Sequence, residues 1–208
     1  MLYLIAGGFY GDEGKGKIVG YLSRRENADL VVRAGGGPQA GHTVIRGLFV
    51  TQVPSGLVNQ SYRLLIARGT VLSPEKVIGE IEKYKLQGRI GIDFGCTIIE
   101  PKHREEEKAL VERIGSVGTG TGPARAARVL REAKLAKDIE VLRPYLTDVA
   151  DEVNDAIGKN KKIVVEGVQG YGLSLMDHRY YPNVTSQDTT ASQFAADVGG
   201  PGDTQKHR

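Results

Sequence analysis

Leu2-Tyr3-Leu4-Ile5-Ala6, followed by Gly7-Gly8-Phe9-Tyr10-Gly11-Asp12-Glu13-Gly14-Lys15-Gly16-Lys17, is the stretch whose reading decides the fold. An apolar run ending in paired glycines is the pattern of a strand buried on both faces. From Gly14 the pattern turns helical, with Ile18, Val19 and Leu22 as its apolar stripe. A glycine loop between such a strand and a helix collects backbone N–H groups and the positive end of the helix dipole, where an anion can sit. Lys15 and Lys17 add positive charge. The loop is not a standard Walker A sequence: Phe9 stands where the first glycine belongs, and Gly16 where Ser or Thr would hold magnesium. Position alone thus supports phosphate binding, with a plain strand-to-helix turn as the alternative.

The same order recurs outward from this loop. Leu30-Val31-Val32 is a second apolar run ending in Gly35-Gly36-Gly37, and Arg63 to Ala67 is another. Thr43-Val44-Ile45 and Leu48-Phe49-Val50 read as a hairpin turning at Gly47. Ser73-Pro74-Glu75 starts a helix expected to reach about Lys85, with Ser as cap and Pro at the first helical position. A glycine-rich loop, Gly115 to Gly122, leads through Pro123 into a helix carrying Arg125, Arg128 and Arg131 on one broad face. A helix is expected from Pro144 to Ile157, stopping at Gly158, then a strand Ile163-Val164-Val165 and the loop Glu166-Gly167-Val168-Gln169-Gly170. These elements predict an α/β, P-loop-like three-layer fold: a mostly parallel central sheet flanked by helices, with a small β-hairpin excursion and ligands at the strands' C-terminal ends. Residues 1–198 form a single α/β nucleotide-binding domain in this reading. Residues 199–208 show neither periodicity nor an apolar anchor, and read as a disordered or non-native tail, the abrupt change suggesting a truncation or frame shift.

Composition narrows the function classes. The 208 residues fit one large domain, and 40% hydrophobic with 25% charged residues is ordinary for a globular chain. A net charge of +3 without a dense basic block leaves no nucleic-acid footprint. Cys96 stands alone, so no internal disulfide framework exists, and a reducing compartment is implied. No apolar run approaches the ~20 residues that span a membrane. The expectation is a cytoplasmic protein with neither membrane nor nucleic-acid partner.

Two acids inside an anion-binding loop need a reason. Beside Lys15, Asp12 stays ionised and can serve as a base, as a magnesium ligand or as a helix cap. His42 follows Gly35-Gly36-Gly37-Pro38-Gln39-Ala40-Gly41, a loop expected to be too glycine-rich to bury the ring, and suits acid or donor chemistry near neutral pH. The loop Gly115-Ser116-Val117-Gly118-Thr119-Gly120-Thr121-Gly122 supplies N–H groups and hydroxyls; the arginines after it either clamp a phosphate or form a solvated surface. Asp177 and His178 lack suitably spaced partners for zinc.

Gly11-Asp12-Glu13-Gly14-Lys15-Gly16-Lys17 resembles the signature loop of the adenylosuccinate synthetases. Gly36 to Thr43 resembles the family's second motif. Glu166 to Gly170, followed by Tyr181-Pro182-Asn183-Val184-Thr185-Ser186 and Thr189-Thr190, resembles a third, in the same order. The resemblance implies a GTP-dependent carbon–nitrogen ligase of purine biosynthesis, joining L-aspartate to inosine monophosphate (IMP) through a 6-phosphoryl intermediate, with Mg2+ as cofactor and a homodimer as the assembly. It implies catalytic roles for Asp12, His42 and Lys15. Gly11, Asp12, Glu13, Gly14, Lys15, Gly16, Lys17, Gly41, His42 and Thr43 would hold GTP, with Asp12 and the Gly41 carbonyl on the metal. Gln39, Val117, Gln169 and Thr185 would contact the monophosphate, and Arg131 matches an arginine that family dimers lend to the neighbouring subunit. Gln39 stands for the usual asparagine, and Val117 and Thr119 for a threonine and an arginine. The family's later guanine- and aspartate-recognition motifs do not occur in these residues. A non-catalytic nucleotide-binding remnant and a ligase for a guanine deoxynucleotide stay open as alternatives.

Overall fold

The computed structural model describes residues 1–199. In chain order they form β1 (Leu2–Ile5), α1 (Lys15–Arg25), β2 (Leu30–Arg33), β3 (His42–Ile45), β4 (Leu48–Val50), β5 (Arg63–Ile66), β6 (Val71–Leu72) and α2 (Pro74–Lys83). There follow β7 (Ile90–Asp93), β8 (Thr97–Ile98), α3 (Pro101–Ile114), α4 (Thr121–Leu130), β9 (Leu146–Thr147), α5 (Val149–Gly158), β10 (Ile163–Glu166) and α6 (Ala191–Asp197). The central sheet has the order β1-β10-β2-β5-β7-β9, and every pairing in it is parallel. The hairpin β3–β4 and the short pair β6–β8 stand apart from it.

Alternation along the inner strands divides the core in two. Val31, Leu64, Ile66 and Val164 face one side, where Val19 of α1 and Val77 and Ile81 of α2 close over them. Leu30, Val32, Leu65, Ile163 and Val165 face the other, against Val149 and Val153 of α5 and Phe194 of α6. Both faces are dry, which is why β2 and β10 read as unbroken apolar runs. Each such buried Val, Leu or Ile contributes ~1.5–3 kcal/mol relative to an exposed one. The three-layer expectation is thereby met.

Four local expectations change. β1 is half-buried rather than fully buried, because among the described residues it is an edge strand paired with β10 alone. The helix expected from Pro144 begins at Val149: Glu140–Tyr145 is a 3-10 turn, Leu146–Thr147 joins the sheet edge, and Asp148 caps α5 by accepting from the Asp151 N–H at 2.9 Å. Arg131 lies past α4 rather than on its face, as a cap residue with φ of 66°. Gly199, assigned to the tail, is tied back, accepting from Asn154 Nδ2 at 3.0 Å. The rest of the tail, from residue 200 on, falls outside the described residues.

Candidate functional site

Because β1, β2 and β10 run parallel with β10 between the others, the loops that follow them emerge at one edge of the sheet. They interlock there. The Tyr171 N–H donates to the Gly7 carbonyl at 2.9 Å and the Gly172 N–H to the Phe9 carbonyl at 2.8 Å. At Gly170 a Cβ would lie 2.5 Å from the Phe9 carbonyl oxygen, so the two backbones cross where a side chain cannot fit. Tyr10 and Tyr180 add an edge-to-face ring pair, with their hydroxyls 2.8 Å apart.

The first loop resolves the puzzle of its two acids by treating them differently. Glu13 turns back into the loop and accepts from the N–H groups of Phe9 at 2.8 Å and Gly11 at 3.1 Å. Lys15, expected to steady Asp12, bonds Glu13 at 2.9 Å and the Gly11 carbonyl at 3.0 Å. Burial works against the charged form of Glu13, but Lys15 and the backbone N–H groups outweigh it and hold the carboxyl at about 2. Glu13 is thus the loop's own internal anion. Asp12 is exposed, and no described residue binds its carboxylate. A free carboxylate and the exposed carbonyl-bearing Gly41 are hard oxygen donors of the kind Mg2+ takes, so these residues fit the implied metal.

His42 is where the expectation of an unburied ring fails. It opens β3 and is 6% exposed, because a polar nest of residues distant in sequence receives it. Its Nδ1 meets the Glu166 carboxylate at the end of β10. The same carboxylate accepts from the Ser55 N–H at 2.7 Å and from the Ser55 hydroxyl, with Arg33 Nη1 3.6 Å away. Burial pushes Glu166 toward neutrality, yet His42, Arg33 and Ser55 together hold it at about 2. Burial, then the Arg33 charge, lowers the His42 imidazole, while Glu166 opposes them. A neutral ring facing an ionised carboxylate donates through Nδ1–H and leaves the Nε2 lone pair free. Gly16 brings the first loop here: a Cβ on it would lie 2.9 Å from both His42 Cβ and the Thr43 carbonyl.

A cleft of about 390 Å³ opens between the third loop and the segments that follow β10, and its lining includes neither the nest residues nor Asp12 and Lys15 of the first loop. Gln39, Val117, Gln169 and Thr185, four of the expected ligand contacts, all line it. Gln39 Oε1 accepts from the Thr121 hydroxyl at 2.7 Å, and Gln169 Nε2 donates to Thr185 Oγ1 at 2.5 Å. Gln169 has a φ of 59°, a left-handed conformation costing a non-glycine residue ~1–3 kcal/mol and concentrated at ligand sites. Glu107 of α3, missed in the sequence, anchors the third loop by accepting from the Ser116 hydroxyl at 2.5 Å and from the Gly120 N–H. Lys17 in the first turn of α1 and Thr43 on β3 are exposed outside the cleft lining, as is Arg131. Asp177, considered with His178, pairs with Arg179 at 2.5 Å. Among the described residues no group of three or more His, Cys, Asp or Glu side chains could hold a metal, and no helix is long and apolar enough to cross a membrane.

Fold and site define a parallel α/β protein whose glycine loops interlock at the carboxyl ends of its strands, with a cleft among the later ones. A sequence model of the family described as adenylosuccinate synthetase matches residues 4–140 and 133–207. The chain belongs to the adenylosuccinate synthetase family. It is 47% identical to the adenylosuccinate synthetase of Thermococcus sibiricus over 96% of this chain and 61% of the relative. Against that of Archaeoglobus fulgidus it is 49% identical over 95% of this chain and 60% of the relative. Its fold matches the fully ligated Plasmodium falciparum adenylosuccinate synthetase with a TM-score of 0.84 at 25% identity, over 97% of this chain and 58% of that one. It also matches cyanophage S-2L succinoaminodeoxyadenylate synthetase bound to dGMP and dATP, with a TM-score of 0.83 at 29% identity, over 96% of this chain and 60% of that one. The chain thus spans about 60% of the length of these relatives.

Proposed function

We propose that this chain carries the phosphoryl-transfer part of a GTP-dependent ligase joining L-aspartate to IMP. The observation that carries the reading is the convergence of three family motifs on one edge of the sheet: Gly16 packs against His42, Gly170 crosses the first loop at Phe9, and Gln39, Gln169 and Thr185 line one cleft. Asp12 takes the N1 proton of IMP, and the O6 so activated attacks the γ-phosphorus of GTP, releasing GDP. Lys15 leaves Glu13 for the phosphates, and the Phe9 and Gly11 N–H groups turn from the internal anion to the incoming one. His42, oriented by Glu166, faces the transferring phosphoryl group, whose negative charge draws a proton onto Nε2. The amine of aspartate then displaces phosphate from C6, forming the carbon–nitrogen bond. Mg2+, when held by Asp12 and the Gly41 carbonyl, neutralises phosphate charge. Arg131 serves the neighbouring subunit of a homodimer. The site is a soluble, small-molecule one in the cytoplasm.

An exposed apolar side chain, Val117, stands in the cleft where a phosphate contact is expected, and favours one second reading, a module that binds nucleotides without turning them over. Calorimetric titration with GTP and with IMP, plus a turnover assay with aspartate, separates the two. Binding with turnover supports the ligase, and binding without it supports the module. Absence of binding to either nucleotide rejects both. Running dGMP beside IMP tests the guanine acceptor suggested by the cyanophage relative.

A further inference from the structure

We propose that Arg125 and Gln187, outside the resembled motifs, are positioning residues that fix the hydrogen-bond polarity of the cleft, so that Thr185 presents a hydroxyl donor to an oxygen of the ligand. The inference rests on the proposed function for the identity of that ligand, a nucleoside monophosphate. The polarity itself follows from the geometry alone.

Arg125 is partly buried on α4, and burial lowers its guanidinium to about 10, with the Asp197 charge opposing. It remains a cation, and a guanidinium only donates. Nη2 meets the Gly69 carbonyl at 2.9 Å, the Gly36 carbonyl at 3.3 Å and one terminal atom of Gln187. The Gly36 backbone N–H, also donor only, points at that same atom from 3.0 Å. Two donors on one atom make it the oxygen Oε1. The other terminal atom of Gln187 is then its NH2 group, which lies 3.2 Å from Gln169 and must find an acceptor there, Oε1. The remaining end of Gln169, Nε2, therefore donates to Thr185 Oγ1. Thr185 accepts that bond, so its single hydroxyl hydrogen is left over, and no described residue takes it. Thr185 lines the cleft, where that hydrogen meets a phosphate or carbonyl oxygen. Gly35 makes room for the relay: with φ of 73°, it would place a Cβ 2.8 Å from Gln187 Nε2.

Gln187→Glu inverts the chain at nearly constant shape. The carboxylate keeps Arg125 and the Gly36 N–H, but its second oxygen turns Gln169 around, and Gln169 Oε1 then consumes the Thr185 hydrogen. By calorimetry, the dissociation constant for IMP rises about tenfold in Q187E, one hydrogen bond to the ligand being lost. That for Mg-GTP stays unchanged, and the thermal midpoint holds or rises. Side-chain amide NMR gives a readout without ligand: nuclear Overhauser contacts join the Gln169 Nε2 protons to the Thr185 methyl in the wild type and vanish in Q187E. Contacts that persist in Q187E, or are absent from the wild type, overturn the proposal, as does unchanged IMP affinity in the variant. A switch in these contacts, with no IMP binding by the wild type, supports the relay and sinks the proposed function alone.

Discussion

Two regions of the site handle their charges in opposite ways. The His42 nest is assembled from β2, β3, β10 and the turn at Ser55, and Arg33 and Glu166 within it are fully buried. The first loop is held by neighbours in sequence, with Glu13 bonded to Phe9, Gly11 and Lys15. The nest is made of long-range contacts that form only when the sheet forms, so it is rigid and prepared before any ligand arrives. The loop satisfies its own N–H groups with its own carboxylate, so an incoming phosphate must displace Glu13. Orientation is built into one region and exchange into the other.

Breaking the nest has the largest expected effect. Glu166→Ala leaves Arg33 buried without its carboxylate and destabilises the fold by about 3–5 kcal/mol, read as a lower urea midpoint. The sign with pH follows from the depressed carboxyl. Glu166 lies at about 2 against an ordinary 4.5, so its contribution is complete above 4.5 and is lost as pH falls toward 2. Urea midpoints measured across that window fall with acid in the wild type and fall less in Glu166→Gln.

Coupling between the regions comes next. Gly16→Ala drives a methyl into His42 and the Thr43 carbonyl, where backbone cannot yield, and costs about 1–3 kcal/mol by the same measurement.

The asymmetry of the two regions also explains what was legible in the sequence. The strand–glycine–helix order showed the parallel sheet because β2 and β10 are buried on both faces and end at glycine loops. β7 escaped notice because Gly91 interrupts it; a Cβ there would lie 2.6 Å from Arg63 Nη2 and 2.7 Å from Thr147 Cγ2. α3 was hidden because its buried residues are His103 and Glu107, which make no apolar stripe. Asp12, Lys15 and His42 were readable as chemistry-bearing types in glycine loops. The environment of His42 was not, since Glu166 lies 124 residues away in the chain. Glu13 shows the same limit at short range: composition places two acids in the loop, and only the fold says which one turns inward.

Loosening the loop should be gentler. Glu13→Gln weakens the pair with Lys15 and changes stability by no more than about 1 kcal/mol, because the pair is partly solvated. The same substitution tightens binding of inorganic pyrophosphate, measured by calorimetry, since the internal competitor has lost its charge. Arg131→Ala, outside both regions, shifts the urea midpoint by less than about 0.5 kcal/mol equivalent.

The most direct test of the division between a prepared nest and an exchanging loop is amide hydrogen exchange with and without Mg-GTP. Protection should rise across Phe9–Lys17, where the phosphates replace Glu13, and stay unchanged along β10, already protected by parallel pairing on both sides. Unaltered exchange at Phe9–Lys17 under saturating Mg-GTP would contradict the account.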